Sequence, residues 1–408
     1  MSTHYDKDIL IIGGGMVGAS MACALAEQGL NIAVVEAFPF KSDSQPSYDA
    51  RCIALASSSK QIFDSIGVWQ SLKRSATAIN TIHVSDRGHF GNTRMEAAKL
   101  GVAAMGYVLE NRDIGQALMD RMAQSSNIEL ICPAKLVDLK ISEESAEATL
   151  DREGEHHTFS TRLLIAADGG NSAVRKLLGI ENDTVDYQQT AVISTVTPEA
   201  SHQNVAYERF TDSGPLALLP LSQNRCSLVY TVNADAADDV LSLDDKEFLA
   251  LLQRRFGFRL GHFVKTGKRF AFPLSLSRIK ESIRSRVVFI GNAAHTLHPV
   301  AGQGFNLGIR DVAALAEVLV DASRAHADIG SIETLKRYED WRNKDQEQTA
   351  NYTDKLVRIF SNDFFPLNSL RSKGLIATNI FSPAKRVLAR QAMGMNGKLP
   401  RLARGAPL

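Results

Sequence analysis

Three short apolar runs set the pattern of this chain: Ile-Leu-Ile-Ile at 9–12, Leu-Leu-Ile-Ala-Ala at 163–167 and Val-Val-Phe-Ile at 287–290. None alternates with polar residues, as expected of inner strands in a parallel sheet buried on both faces. The first and third end at glycine, the second at Asp168-Gly169-Gly170. The first leads into Gly13-Gly14-Gly15-Met16-Val17-Gly18, then a helical pattern to about Gln28, a stop at Gly29 and a second strand over 32–35. The third leads into a polar loop holding Asn292, His295, His298 and Pro299, then Gly302-Gln303-Gly304. Phe305, Leu307, Ile309, Val312, Leu315, Val318 and Leu319 follow at helical spacing, so a helix is predicted to about Ser323. A strand, a glycine turn and a helix start bring backbone N–H groups and the positive end of a helix dipole onto one ligand.

Between these runs the pattern changes. Residues 38–48 form a loop rich in Pro, Ser and Asp, followed by Asp49-Ala50-Arg51 and a helix-like apolar run. Ile82 and Val84 alternate before Asp86-Arg87-Gly88, an antiparallel hairpin signal. Residues 107–111 precede a helix over 113–123, and 128–165 hold short strands around a charged turn at 151–155. Strands are predicted over 191–197, 205–210, 215–220 and 227–232, with a helix over 244–256. A small mixed sheet inserted between parts of a cofactor domain accounts for this order. Its stretch 214–221 has little polar content and reads either as a core strand or as an apolar substrate wall carrying Leu218, Leu219 and Pro220.

At 408 residues the chain is long enough for more than one packed domain. The expected division is a cofactor domain from 1–75, 100–180 and 276–360, a substrate domain from 76–99 and 181–275, and a basic helical segment over 361–408. Beyond Asp363 there is no acidic residue, while Lys and Arg are interleaved with Leu, Ile, Phe and Met. That pattern suits a membrane-surface or partner-docking element, or a packed helix with a basic tail.

Composition narrows the function classes. A net charge of +1 argues against a nucleic-acid partner. The four cysteines are scattered without a Cys-x-x-Cys pair, and no His-x3-His or His-Glu-x-x-His spacing occurs, so neither a disulfide framework nor a metal site is expected. Asp6, Lys7 and Asp8 ahead of the first strand do not form a signal peptide, and no apolar run approaches the ~18 residues of a membrane span. A cytoplasmic protein is expected.

Gly13, Gly15 and Gly18 form G-x-G-x-x-G between a strand and a helix, and Glu36 ends the second strand roughly 20 residues on. Gly13 makes the tight turn, Gly15 admits a pyrophosphate, Gly18 permits close helix packing, and Glu36 accepts from ribose hydroxyls. A dinucleotide is implied, with FAD and NAD both open on this motif alone. Asp168 with Gly169 and Gly170 forms another strand end that faces a ligand or a plain turn.

Taken together, Gly13-x-Gly15-x-x-Gly18 with Glu36, Ala167-Asp168-Gly169-x-x-Ser172-x-Val174-Arg175, and Gly291-Asn292-Ala293-Ala294-His295 with Pro299, Gly302-Gln303-Gly304 and Asn306 resemble the class A flavoprotein monooxygenases, the para-hydroxybenzoate hydroxylase-like family. Asp49-Ala50-Arg51, Asp86 to Gly91, Thr296-Leu297-His298-Pro299 and Phe360-Ser361-Asn362-Asp363 are most similar to its ubiquinone-biosynthesis hydroxylases. The resemblance implies an α/β fold: a Rossmann-like FAD-binding domain of the GR2 type, an inserted mixed-sheet substrate domain and a C-terminal helical segment. It also implies FAD. Gly13, Gly15, Val17 and Gly18 would cradle the pyrophosphate with Asp168 nearby, Glu36 would hold the adenosine ribose, and Arg51 and Asn111 would lie beside the extended cofactor. Asn292 would serve the ribityl chain, and the loop from Pro299 through Gly302, Gln303 and Gly304 to Asn306 would lie along the isoalloxazine. The wider family has aspartate where this chain has Asn292; an amide can still bind a ribityl hydroxyl.

The implied reaction begins with hydride transfer from NADPH or NADH to FAD. Oxygen then adds to give a C4a-hydroperoxide, whose distal oxygen an electron-rich phenol attacks. A polyprenyl phenol is the implied substrate, as in conversion of 2-octaprenyl-6-methoxyphenol to 2-octaprenyl-6-methoxy-1,4-benzoquinol. Peripheral contact with the inner membrane, or a ubiquinone-biosynthesis complex, would deliver it. His295 and His298, with Pro299 beside them, are the candidates nearest the ring system. With no second G-x-G-x-x-G, the nicotinamide donor would have no Rossmann domain of its own. A flavin halogenase is excluded because Trp69 and Trp341 are the only tryptophans. An FAD-dependent dehydrogenase or a silent subunit of a biosynthetic complex shares the same motifs.

Overall fold

The computed structural model describes residues 5–39, 51–88, 91–360 and 382–408. Asp49, Ala50, His89, Phe90 and 361–381 therefore lie outside the described residues. Lys7–Ile12 sits inside an eight-stranded sheet between Ile32–Val35 and Glu155–Ala166, with Ile128–Ile131 and Val287–Phe289 beyond them. These ladders are all parallel. Ile9, Ile11, Leu163, Ile165 and Val288 pack on one face against residues of the helices Met16–Ala24, Asn111–Ala123 and Gln303–Arg324. Leu10, Ile12, Leu164, Ala166 and Val287 face the other way, onto an antiparallel pair, Lys135–Ile141 and Ala146–Arg152. Burial on both faces is why these strands read as unbroken apolar runs.

The first helix ends at Ala24, earlier than its spacing predicts. Asn127 donates from its side-chain amide to the carbonyls of Leu25 and Leu30, fixing the turn that follows. That contact spans about a hundred residues of sequence and leaves no local signal.

A second, nine-stranded sheet is mixed rather than small. It takes in the Thr81–Asp86 and Asn92–Glu96 hairpin and the strands Asn182–Pro198, Val205–Thr211, Gly214–Pro220, Cys226–Asn233, Phe263–Thr266 and Phe270–Ile279. Thr81–Asp86 runs parallel to Val205–Thr211, which joins segments far apart in sequence. The two-residue strand His295–Thr296 also pairs with this sheet, tying the loop after Val287–Phe289 to it. One face is covered by the helix Asp245–Phe256, whose N-terminus carries a reciprocal capping box between Asp244 and Glu247. The other face, with Ile193, Ala217, Leu219 and Val229, lines a cavity that it shares with the strand ends of the first sheet.

Three further findings depart from the pattern reading. The apolar run after Arg51 is not helical at first: Cys52–Ala56 is a strand in a three-stranded sheet with Gly106–Glu110 and Thr77–Ile79, and only Ser57–Ser65 is helix. A long helix, Ile332–Phe360, crosses behind the Gln303–Arg324 helix. Finally, the described C-terminus is fastened to the main core to its end, with no frayed tail. Leu402, Ala403 and Leu408 join the main core, Arg401 pairs with Glu317 and Asp321, and Lys398 lies over the Trp341 ring. Among the described residues no helix is long and apolar enough to cross a membrane.

Candidate functional site

The glycine turn is built by contact distances that only glycine allows. Gly13 has φ +104°, and a Cβ there would lie 2.5 Å from the Ala167 carbonyl oxygen. A Cβ on Gly18 would lie 1.9 Å from the Gly13 carbonyl oxygen, so the first helix packs directly on the turn. Glu36 is buried at the end of its strand and accepts from the Gly14 N–H (2.9 Å) and the Phe38 N–H (3.0 Å). Its carboxylate is thereby held at the mouth of the turn. Val17 packs against Gly291 and Gly308, which joins this turn to the loop after Val287–Phe289.

Asp168 follows the neighbouring strand and caps a short helix. One carboxylate oxygen accepts from the N–H groups of Ala173 (2.7 Å) and Val174 (3.3 Å), while the other is buried with no partner among the described residues. Burial raises the Asp168 pKa, against the opposing effect of these hydrogen bonds. Ser172 accepts from the Arg175 N–H, and the Arg175 guanidinium donates to the carbonyls of Gly170 and Ala293, clamping two ligand loops together. Asn111 opens its helix with its side-chain oxygen buried and without a protein partner among the described residues, and its N–H donates to the Arg51 carbonyl. The Arg51 guanidinium lies over the Phe272 ring, 4.8 Å from its centroid. A buried polar atom left unbonded costs free energy, so the orphan acceptors of Asp168 and Asn111 call for donors from a ligand.

The loop over 291–306 closes the far side. Asn292 and Pro299 are exposed and line the cavity, Gly302 takes a left-handed conformation (φ +60°), and Gly304 has open space where a Cβ would project. Gln303 is buried at the helix start. Asn306 serves the loop's own architecture: its amide accepts from the Ala56 N–H (2.8 Å) and donates to the carbonyls of Ala54 (2.8 Å) and Gly302 (2.7 Å). It locks the unexpected Cys52–Ala56 strand onto the helix start.

Both histidines stand behind this loop, not in the lining. His298 is fully buried, accepts from the Val300 N–H at Nδ1 (3.2 Å) and meets the Tyr187 ring edge-on; burial lowers its pKa to about 4, so the ring is neutral. His295 hydrogen-bonds Asp311 (2.6 Å) in a buried cluster where Arg342 and Gln346 also donate to Asp311. Burial pushes the Asp311 pKa up, but Arg342 and His295 more than reverse it, to about 2. Neither ring is placed for proton transfer in the cavity. Among the described residues no His, Cys, Asp and Glu group is arranged to hold a metal ion.

These groups surround one cavity of about 1180 Å³, which runs from the glycine turn past Asp168, Asn292 and Gly304 to an apolar chamber under the second sheet. Ordinary small-molecule sites occupy ~300–1,000 Å³, so this one has room for an extended cofactor and a second ligand. Gly13, Gly15, Val17, Glu36, Arg51, Asn111, Asp168, Asn292, Pro299, Gly302, Gly304 and Asn306 all line it; Gly18, Gln303 and His298 stand behind it.

The expected substrate wall needs correction. Of Leu218, Leu219 and Pro220, only Leu219 lines the chamber. Side chains alternate along a strand, so Leu219 and Ala217 face the cavity, whereas Leu218 packs with Leu228 and Phe248 on the opposite face. The pattern reading also missed the chamber residues Ile82, Met95, Glu208, Val229 and Tyr352, which come from segments brought together only by the tertiary fold. A period-2 reading of 214–221 could have separated Leu219 from Leu218.

Comparison with known proteins follows the same lines. The profile of the FAD binding domain family matches residues 6–353. The chain is similar to ubiquinone hydroxylase UbiL of Rhodospirillum rubrum, 39% identical over 98% of this chain and 93% of that one. It is similar to the mitochondrial ubiquinone biosynthesis monooxygenase of Homo sapiens, 33% identical over 94% and 92%, and to 3-demethoxyubiquinol 3-hydroxylase of Escherichia coli, 32% identical over 96% and 100%. Among solved structures, p-nitrophenol 4-monooxygenase PnpA from Pseudomonas putida shares the fold with a TM-score of 0.80, at 18% identity over 96% of this chain and 98% of that one.

Proposed function

Because this chain belongs to the FAD binding domain family of class A flavoprotein monooxygenases, we propose that it hydroxylates the aromatic ring of a polyprenyl phenol in ubiquinone biosynthesis, with NADPH or NADH as electron donor. The observation that carries the reading is the single cavity joining the glycine turn to an apolar chamber. The relatives named as ubiquinone hydroxylases support the pathway, and 2-octaprenyl-6-methoxyphenol is the substrate we favour.

The residues present fit FAD. Gly13 and Gly18 draw the turn so tight that backbone lies where a Cβ would stand, Gly15 lines the cavity where a pyrophosphate would lie, Glu36 stands where an adenosine ribose would lie, and the orphan oxygens of Asp168 and Asn111 would accept from its hydroxyl groups. Asn292 would meet the ribityl chain, and the helix start at Gly302 to Gly304 would meet the ring system, where its dipole favours negative charge. When bound, FAD supplies the hydride-accepting and oxygen-activating chemistry that side chains lack. The chain's own part is to hold the phenol ring against the loop at Pro299, to exclude water with Ile82, Met95, Leu219 and Val229, and to leave His298 neutral behind the loop.

A long-tailed phenol partitions into a bilayer, so we place the working enzyme at a membrane surface or within a biosynthetic complex. The docking element proposed for the C-terminus is then confined to 361–381, outside the described residues, since Leu388 and Ala389 of the helix Ser382–Ala392 pack into the core, as do Leu402, Ala403 and Leu408. The test is turnover of 2-octaprenyl-6-methoxyphenol by the purified holoenzyme with NADPH or NADH, with the product read by mass. Formation of 2-octaprenyl-6-methoxy-1,4-benzoquinol supports the reading; reductant oxidation with the phenol unchanged refutes it.

A further inference from the structure

Strand register divides the chamber face of the second sheet into rows of side chains. One row crosses five adjacent strands as Thr93, Val84, Glu208, Ala217 and Val229, and it mixes polar with apolar groups. In the next row Met95 pairs with Ile82, Ile82 with Ala206, and Leu219 with Ser227. Tyr207 pairs with Leu218, which sets Ala206 beside Leu219, so this row is apolar until it ends at Ser227. Tyr207 also meets the cavity, but its ring packs edge-on against Phe256 on the opposite face.

The apolar row continues beyond the sheet. Met95, Ile82, Ala206 and Leu219 share one packed cluster with the lining residues Ile79, Met105 and Leu388. Ala54 packs against the same cluster and stands 3.3 Å from where a Cβ on Gly302 would project, so the apolar surface begins at the loop proposed to lie along the ring system. At its other limit Leu388 and Ala392, one turn apart, line the cavity from the helix Ser382–Ala392. Arg386, Val387 and Arg390 of that helix are exposed, so a single helix, ~10 Å across, separates the chamber from the protein surface here.

Resting on the reading that the substrate is a polyprenyl phenol, we propose that this surface is the subsite of the isoprenoid tail. The tail leaves the ring at the loop, runs along Met95, Ile82 and Leu219, and passes Met105, Leu388 and Ala392 toward the surface. A branched hydrocarbon makes no hydrogen bonds, so its binding depends on walls without polar groups that need water. The unbranched side chains of Met95 and Met105 can adapt to its methyl branches. Ala392 is the small residue of the passage, and a large side chain there would narrow it.

The test titrates the oxidised, FAD-loaded enzyme with 2-prenyl-, 2-geranyl- and 2-farnesyl-6-methoxyphenol, following the flavin absorption change. Burial of one CH2 group corresponds to an affinity gain of about 4-fold, so each further five-carbon unit seated in the subsite should lower the wild-type Kd by at least about 10-fold. Ala392→Trp should keep the prenyl Kd and full FAD content while losing most of the gain with tail length. Leu388→Ala, which adds no bulk, should weaken the farnesyl ligand about 10-fold and leave the prenyl ligand unchanged. Val387→Ser, on the exposed side of the same helix, should bind all three as wild type does. Equal wild-type Kd values for the three ligands overturn the proposal. So does an Ala392→Trp or Leu388→Ala enzyme that keeps the full gain with tail length, or one that weakens all three ligands alike. Failure of the wild-type enzyme to bind any of the three instead overturns the phenol reading.

Discussion

Two alanine substitutions, both at glycines of the cofactor site, should have opposite effects on the empty protein. At Gly18 the added Cβ would stand 1.9 Å from the Gly13 carbonyl oxygen and 3.3 Å from the Ala167 Cβ. Backbone stands in the way, so the Met16–Ala24 helix must retreat by roughly an ångström. Overpacking of this kind costs about 1–3 kcal/mol and sometimes more. Gly18→Ala should therefore lower the Tm of the flavin-free protein and, by spreading the turn, its FAD content as well. At Gly304 the added Cβ meets nothing within 4 Å, and the residue lies in the first turn of a helix that lines the cavity. Alanine in a helix is favoured over glycine by up to about 1 kcal/mol, so Gly304→Ala should leave the flavin-free protein at least as stable as wild type. Its methyl group would nevertheless project into the cavity, where we propose that the ring system lies. A clash of about 1–3 kcal/mol corresponds to a roughly 5- to 150-fold rise in the FAD Kd. The assay is differential scanning fluorimetry of the flavin-free proteins beside FAD titration by fluorescence quenching. Wild-type FAD affinity in Gly304→Ala would refute the placement of the cofactor along this helix start, and wild-type stability in Gly18→Ala would refute the packing argument.

Three further outcomes are expected. Asn292→Asp should retain FAD by ultrafiltration and absorbance, because position 292 is exposed to the cavity and a carboxylate can accept the same ribityl hydroxyl; loss of flavin would show that the amide's donor is needed. His298 is neutral in the fold with its pKa lowered to about 4 from an ordinary 6.5, so the unfolded chain binds the extra proton, and stability present above pH 6.5 is lost as pH falls toward 4. That loss is up to about 3 kcal/mol, and a Tm series across this range should be shallower for His298→Gln; an unchanged slope would contradict the assignment. Leu402→Ala removes a buried side chain from the main core and should cost about 2–5 kcal/mol in urea unfolding; a negligible change would mean that the C-terminal strap contributes little to the core.

What the sequence made legible follows from how locally each feature is determined. The strands around Lys7–Ile12 are buried on both faces, so their residues had to be apolar without interruption, and Gly13 and Gly18 had to be glycine because backbone lies within contact distance. Those constraints sit in a few consecutive residues. Cys52–Ala56 is different: its strand identity depends on pairing with Gly106–Glu110 and on the grip of Asn306, some 250 residues away, while its composition suits a helix equally. Asn306 lines the cavity, and its amide also bonds backbone on both sides, a role that its position after Gly302-Gln303-Gly304 does not announce. The buried Asp311, His295 and Arg342 cluster joins two helices and a loop, and carries no spacing motif. Glu208 and Tyr352 line one chamber only because a strand of the second sheet and the helix Ile332–Phe360 are brought to it by the tertiary fold.

The measurement that tests the account most directly is turnover under 18O2. The FAD-loaded enzyme, NADPH or NADH and 2-octaprenyl-6-methoxyphenol would be combined, and the product analysed by mass. The account predicts one 18O atom in the new ring hydroxyl of the product. Reductant consumption that yields only labelled hydrogen peroxide, with the phenol recovered unlabelled and unchanged, would contradict it.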